Sequence, residues 1–230
     1  MSGEREVIRL ERVSKTYRRN GTPVEALRDV DLTIRQGEFT AIVGRSGSGK
    51  STMLHILGLL DAEYEGTYWL DGECVSGRTA DELAVFRNRE IGFVFQSFHL
   101  LPDLTILENT ALPALYAGDK SPEECHARAR ERLVEMGLGH RLDHRPMELS
   151  IGQRQRAAIA RALVNEPRVL LADEPTGALD TKTTQEILDI MLALHRGGAT
   201  LVLVTHDRDV AAVAERAIHL SDGQTNDGMA

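Results

Sequence analysis

The chain has 230 residues, with 27 Lys plus Arg against 35 Asp plus Glu and a net charge of −8 at pH 7. That length holds one large domain or two small ones, with enough surface to bury a core. The acidic balance argues against a nucleic-acid partner, because sequence-independent binding depends on basic patches that neutralise phosphates. Cys74 and Cys125 are far apart, with no Cys or His at metal-ligand spacing near either, and read as two reduced thiols. No apolar run approaches the ~20 residues that cross a bilayer. The N-terminal Met-Ser-Gly-Glu-Arg-Glu lacks an apolar signal core. Contact with a membrane is therefore expected to come through a partner.

From the N-terminus, Val7 to Val13 and Val30 to Ile34 alternate apolar and polar residues, which predicts two half-buried strands. Asn20-Gly21 marks a turn between them and Gln36-Gly37-Glu38 a second. Tyr17 ends the first strand region as an aromatic able to stack on a base. Phe39-Thr40-Ala41-Ile42-Val43 is apolar enough for a buried strand, and Met53-Leu54-His55-Ile56-Leu57 reads as the first turns of a helix. Between them lies Gly44-Arg45-Ser46-Gly47-Ser48-Gly49-Lys50-Ser51-Thr52, which fits the phosphate-cradling pattern G-x-x-x-x-G-K-[ST]. In a strand–loop–helix setting the glycines let backbone N–H groups turn inward around a triphosphate, and the helix N-terminus adds its positive end. Lys50 then reaches the β- and γ-phosphates, and the Ser51 hydroxyl ligates Mg²⁺. This stretch predicts that the chain binds a nucleoside triphosphate.

Gly66-Thr67-Tyr68-Trp69-Leu70 followed by Asp71-Gly72 predicts a hairpin. Thr79-Ala80-Asp81-Glu82 is a capping box opening a short helix, and Ile91 to Phe95 a buried strand. From about Pro102 to Asn165 the pattern turns helical. Thr105 with Glu108 caps one helix; Ser121, Pro122 and Glu124 open another that ends at Gly137; Ser150 with Gln153 starts a third, stopped by Pro167. Strand–helix alternation then resumes. It gives a strand Val169 to Ala172, a helix from about Thr181 to His195, and a strand Thr200 to Val204, with a last short helix and strand ending at Ser221-Asp222-Gly223. Such alternation means a parallel sheet, so the chain reads as an α/β core with a helical insertion.

Val169-Leu170-Leu171-Ala172-Asp173-Glu174 is an apolar strand ending in two carboxylates. Running beside the phosphate-loop strand, it would deliver both acids to the phosphates. Asp173 suits the Mg²⁺ shell and Glu174 the general base that activates water. Gln96 and His206 follow predicted strands at the same carboxyl edge, where ligands bind in open α/β sheets. Gln96 is expected at Mg²⁺ or the attacking water, and His206 at the γ-phosphate. Leu149-Ser150-Ile151-Gly152-Gln153 lies at a helix N-terminus, a natural phosphate site. Taken alone, however, it reads as an ordinary capped helix.

The set as a whole resembles one family, the ATP-binding cassette (ABC) ATPases of membrane transporters. Gly44 to Thr52 matches the Walker A motif, Gln96 the Q-loop, and Val169 to Glu174 Walker B. Leu149 to Gln153 resembles the LSGGQ signature, Gly177-Ala178-Leu179-Asp180 matches the D-loop, His206 the switch histidine, and Tyr17 the aromatic that stacks on adenine. Phe93 to Phe98, Leu100-Leu101-Pro102 and Leu115-Tyr116-Ala117-Gly118 look like the macrolide-export and lipoprotein-release class. The resemblance implies a P-loop NTPase (RecA-like) core with an antiparallel β subdomain and an inserted α-helical subdomain. Residues 1–230 would form a single nucleotide-binding domain, with core segments 1–96 and 166–230 and a helical segment 97–165.

It also implies ATP and Mg²⁺ as ligands, and a second copy of the chain packed head to tail. Each ATP would then lie between one copy's Walker A loop and the other's signature. Ser150, the Gly152 amide and Gln153 would serve the partner copy's nucleotide, and Asp180 would couple the two sites. ATP closes such a pair and hydrolysis reopens it, driving a transmembrane permease at the cytoplasmic face of the bacterial inner membrane. One position departs from the pattern: Ile151 replaces the first signature glycine. As the first helical residue after an N-cap it needs only ordinary negative φ. Its bulk, however, faces the approaching copy, so weakened or slower closure is expected. Three other readings stay open. They are a soluble ABC ATPase acting on DNA or ribosomes, a non-hydrolysing nucleotide-gated regulator, and an importer ATPase, for which an extra C-terminal domain is common.

Overall fold

The computed structural model describes residues 5–19 and 22–228. In chain order the elements are β1 (Glu6–Arg19), β2 (Thr22–Arg35), β3 (Phe39–Val43), α1 (Lys50–Leu57), β4 (Glu65–Leu70), β5 (Glu73–Cys74), α2 (Ala80–Glu90) and β6 (Ile91–Phe95). Then follow α3 (Ile106–Ala117), α4 (Pro122–Glu135), α5 (Ile151–Leu163), β7 (Val169–Asp173), α6 (Thr181–Arg196), β8 (Thr200–Thr205), α7 (Arg208–Ala211), β9 (Arg216–Ser221) and β10 (Gln224–Gly228). They group into two compact units, Met1–Ala84 with Leu192–Ala230, and Val85–Met191.

The first unit holds an antiparallel sheet in the order β2-β1-β4-β5. It also holds β3, which pairs in parallel with β8 on one edge and β9 on the other, while β10 runs antiparallel to β9. All five residues of β3 are apolar or small, and four are buried, as the sequence requires of a strand covered on both faces. Tyr68, fully buried on β4, donates its hydroxyl to the Leu57 carbonyl at 2.8 Å and so ties this sheet to the end of α1.

Two of these features differ from the sequence reading. β1 and β2 are far longer than the alternating stretches within them, because bulges break the two-residue period. Their register slips at several points, and Arg12 and Asp29 take positive φ. β10, Gln-Thr-Asn-Asp-Gly, is polar and carries little strand propensity; it forms because the Asp222-Gly223 turn, with φ of 49° and 78°, folds it back on β9. The Asn20-Gly21 turn lies outside the described residues.

The second unit pairs β6 with β7 in parallel and packs α3, α4 and α5 around a small-residue core of Ala111, Ala114, Cys125, Ala129 and Val164. The expected caps form: Thr105, Ser121 and Ser150 each accept from the backbone of a Glu or Gln three residues on, whose side chain accepts the cap's own N–H. Thr79 and Glu82 do the same at the head of α2. One expectation fails. Since β8 and β9 occupy both edges of β3, the carboxylate-bearing β7 does not run beside the phosphate-loop strand; its observed partner is β6. Equal hydrophobicity among strands leaves neighbour order undetermined in a sequence.

Candidate functional site

In the first unit, the loop Gly44–Gly49 leaves the C-terminal end of β3 and enters α1 through Gly49, whose φ of 107° is open only to glycine at low cost. A Cβ there would come within 2.5 Å of the Ala26 carbonyl oxygen, so β2 backs directly onto the loop. No side chain caps α1. Its first N–H groups and positive dipole end are therefore available to an anion. Lys50 Nζ donates to the Gly44 and Arg45 carbonyls at 2.7 and 2.9 Å, folding the ammonium over the loop. Ser48 Oγ is buried and finds no hydrogen-bond partner among the described residues. An orphaned hydroxyl, an uncapped helix and an ammonium around one loop fit a polyphosphate.

The loop is also braced from behind, through residues the sequence did not single out. The Gly223 amide donates to the Ser48 carbonyl at 3.2 Å, and the Gly223 carbonyl accepts from the Arg28 amide at 2.8 Å. Only the folded β9–β10 turn brings Gly223 there, which is why no local signal marks it. Val43 and Thr205 are register partners on β3 and β8, so His206 begins at the same sheet edge as Gly44. Tyr17 on β1 is 38% exposed and donates its hydroxyl to Asp61 at 2.9 Å.

The second unit gathers the remaining candidates. Phe95 and Asp173 are register partners on β6 and β7, so Gln96 and Glu174 leave neighbouring strands at one level. The Gln96 amide nitrogen stands 2.7 Å from where a Cβ on Gly177 would sit, against the turn in which the Gly177 amide donates to the Glu174 carbonyl. Glu174 itself takes φ of 43°, a left-handed conformation uncommon outside glycine, asparagine and aspartate.

Ser150 caps α5, accepting from the Gln153 amide at 3.2 Å while Gln153 Oε1 accepts from the Ser150 amide at 2.9 Å. Because the cap uses only the hydroxyl's acceptor side, its one O–H proton remains to donate. Gln153 gives its carbonyl oxygen to the cap, which leaves its side-chain NH₂ to donate. Ile151 is helical, without positive φ, and 44% exposed, as the backbone argument expected. Asp180 accepts from the Thr183 amide and hydroxyl at 3.0 and 2.9 Å, and these bonds, the backbone one foremost, hold its carboxyl below the usual range. Thr183, not foreseen from sequence, also fixes Gly152: a Cβ on Gly152 would lie 2.5 Å from Thr183 Cγ2. Ser150, Ile151, Gly152, Asp180 and Thr183 help to line a cleft of about 390 Å³.

α5 also holds the segment that follows Gln96. Arg161 donates to the carbonyls of Phe98 and His99 at 2.6 and 2.5 Å, and the Arg154 guanidinium lies over the Phe98 ring at 5.4 Å. Among the described residues no cluster of His, Cys, Asp or Glu could hold a metal by itself. No helix among the described residues is long and apolar enough to cross a membrane.

Comparison with known proteins agrees with this geometry. The family model for the ABC transporter matches residues 27–177. The macrolide export ATP-binding/permease protein MacB of Bartonella quintana is 50% identical over 219 residues, 95% of this chain and 33% of its own length. MacB 1 of Aeromonas hydrophila is 56% identical over 200 residues, 87% of this chain and 31% of its own length. The chain thus spans about a third of the curated relatives it matches. Among solved structures, a dimeric ATP-binding cassette in a post-hydrolysis state, bound to ADP and Pi, superposes with a TM-score of 0.88 at 45% identity, covering 96% of this chain and 98% of that one. With a P-loop NTPase fold and a family match over most of its length, the chain belongs to the ABC transporter family, as one of its ATP-binding ATPase cassettes.

Proposed function

We propose that residues 1–230 act as a single nucleotide-binding domain, pairing with a second copy around two ATP molecules to drive a permease of the macrolide-export or lipoprotein-release type. The observation that carries this reading is Ser150, whose acceptor side closes the α5 cap while its O–H stays free to donate. Such a group is suited to a γ-phosphate brought by another copy. The dimeric state of the solved cassette and the permease in the names of the MacB relatives support the pairing and the partner. The proposed location is peripheral, at the cytoplasmic face of the inner membrane.

The roles follow the motifs. Tyr17 stacks on adenine, the Gly44–Thr52 loop with Arg45, Ser46, Gly47 and Ser48 cradles the phosphates, and Lys50 draws charge from the β- and γ-oxygens. By the same motifs Ser51, Gln96 and Asp173 would be the residues to hold Mg²⁺, which when bound would neutralise phosphate charge. Glu174 takes a proton from the attacking water, and His206 steadies the γ-phosphate. Ser150, the Gly152 amide and Gln153 complete the partner copy's site, and Asp180 couples the two.

Glu174→Gln is the test, because it keeps the side chain's shape and removes its basicity. A positioned base contributes about 10²–10⁴-fold. Phosphate release should therefore fall at least a hundredfold while ATP binding persists, and light scattering with ATP and Mg²⁺ should show a stable pair. Turnover at a tenth of wild type or better would remove Glu174 from the role; a variant that binds ATP yet stays monomeric at every concentration would remove the pairing.

A further inference from the structure

Around Tyr17 the structure holds a polar cluster with no part in the roles above. Lys15, two residues earlier on β1, is only 4% exposed. Its ammonium makes a 2.7 Å ion pair with Asp61 in the segment after α1, and donates to the Glu63 carbonyl as well. The same ammonium lies over the Tyr17 ring, 4.8 Å from its centroid. Asp61 uses its other oxygen to accept the Tyr17 hydroxyl at 2.9 Å. Thr52, the last residue of the phosphate loop motif, lies near enough to the phenol to oppose the rise in its pKa. Burial raises the Tyr17 phenol, so its O–H persists as the donor. Burial opposes ionisation of Asp61, but the bonds from Lys15, the Glu63 amide and Tyr17 hold its carboxyl below the ordinary value.

A buried lysine is costly unless paired, and this one is paired in a way that fixes an aromatic ring. One ring face is covered by a cation, the hydroxyl is tied to Asp61, and the residue still keeps over a third of its surface open. A side chain held in a single pose loses no rotamer freedom on stacking. A cation on the far face draws electron density from the ring, which favours an electron-rich base on the near one. We infer that Lys15 and Asp61 are positioning residues for the nucleobase: together they hold Tyr17 as a preset stacking platform at a fixed distance from the phosphate loop. This rests on reading Tyr17 as the adenine contact.

The test compares the affinities of the purified chain for ATP, ADP and inorganic tripolyphosphate, which has the charge but no base. Lys15→Met keeps the length of the stem and removes the cation; Asp61→Asn keeps the shape and removes the ion pair. Both should weaken ATP and ADP equally, by about three- to tenfold, and leave tripolyphosphate unchanged. Tyr17→Ala should lower ATP binding further, and adding Lys15→Met to it should cost nothing more. Unaltered ATP affinity in a folded Lys15→Met or Asp61→Asn chain overturns the proposal, as does an equal loss for tripolyphosphate, which would mean a tie between β1 and α1 only. If neither variant folds, the pair is a folding element and the proposal fails. Loss of ATP affinity with Tyr17→Ala but not with the pair variants leaves the adenine contact standing without its supports; no loss with Tyr17→Ala removes the contact itself.

Discussion

Asn109 shows how much a single buried side chain can hold. It is fully buried on α3, and its amide oxygen accepts the Leu101 amide at 2.7 Å while its nitrogen faces the carbonyls of Leu101, Leu104 and Thr105. One residue thereby satisfies the backbone of the loop that leads from Gln96 into the helical unit. The Leu101 and Thr105 carbonyls keep backbone donors, but truncation would leave the Leu101 N–H and the Leu104 carbonyl without this partner, at about 1–3 kcal/mol and more if the loop reorders. Asn109→Ala should therefore lower the unfolding free energy in urea by about 2–3 kcal/mol; a change under about 0.5 kcal/mol would mean that the loop finds other partners. Nothing in the sequence marks this asparagine, because its partners are backbone atoms of a loop. The caps Thr105, Ser121 and Ser150 are legible for the opposite reason: donor and acceptor lie three residues apart in one pattern.

At the scale of elements, α5 organises the second unit. Its N-terminus meets that of α6 where Gly152 approaches Thr183, and its arginines grip the segment after β6. The motif's glycine is thus explained by close approach as well as by any ligand. Gly152→Ala would drive a methyl into Thr183 Cγ2, pushing the Ser150 cap away from Asp180. ATPase activity should fall at least tenfold, with ATP affinity of the isolated chain little changed. Thr183→Ser removes the obstructing methyl and keeps the hydroxyl that bonds Asp180. Paired with Gly152→Ala it should recover most of the lost rate. Failure of that rescue in steady-state phosphate release would show that the glycine is needed for the nucleotide rather than for the helix contact.

Across the whole molecule, the carboxylates with lowered pKa lie mostly at helix starts. Glu82, Glu108, Glu124 and Asp180 are all held below their ordinary range, chiefly by bonds from backbone N–H groups at the heads of their own helices. Since the folded pKa is the lower one, this stabilisation is complete above the unfolded value and drains away as pH falls through the folded value. Unfolding free energy should therefore hold from pH 7 to about 5 and decline below about pH 4. A triple Glu82→Gln, Glu108→Gln, Glu124→Gln chain should start less stable at pH 7 and lose less on acidification. Parallel curves for the two chains would place the acid sensitivity elsewhere.

What the sequence determined by itself is whatever depends on neighbours along the chain. That includes the Gly44–Thr52 loop between an apolar strand and a helix, the four capping boxes, and the Asp71-Gly72 hairpin. It also includes the resemblance that named the family, because motif spacing is a one-dimensional property. Tertiary structure decided what depends on which strand lies beside which. β8 and β9 flank the phosphate-loop strand in place of β7; β10 exists only because β9 offers an edge; and Gly223 reaches Ser48, Asp61 reaches Tyr17, and Thr183 reaches Gly152 only by folding. The reason is physical. Local hydrogen bonds and turns are fixed by residue type at short range, whereas strand order and cross-chain polar contacts are chosen by packing among segments whose hydrophobicity is nearly the same.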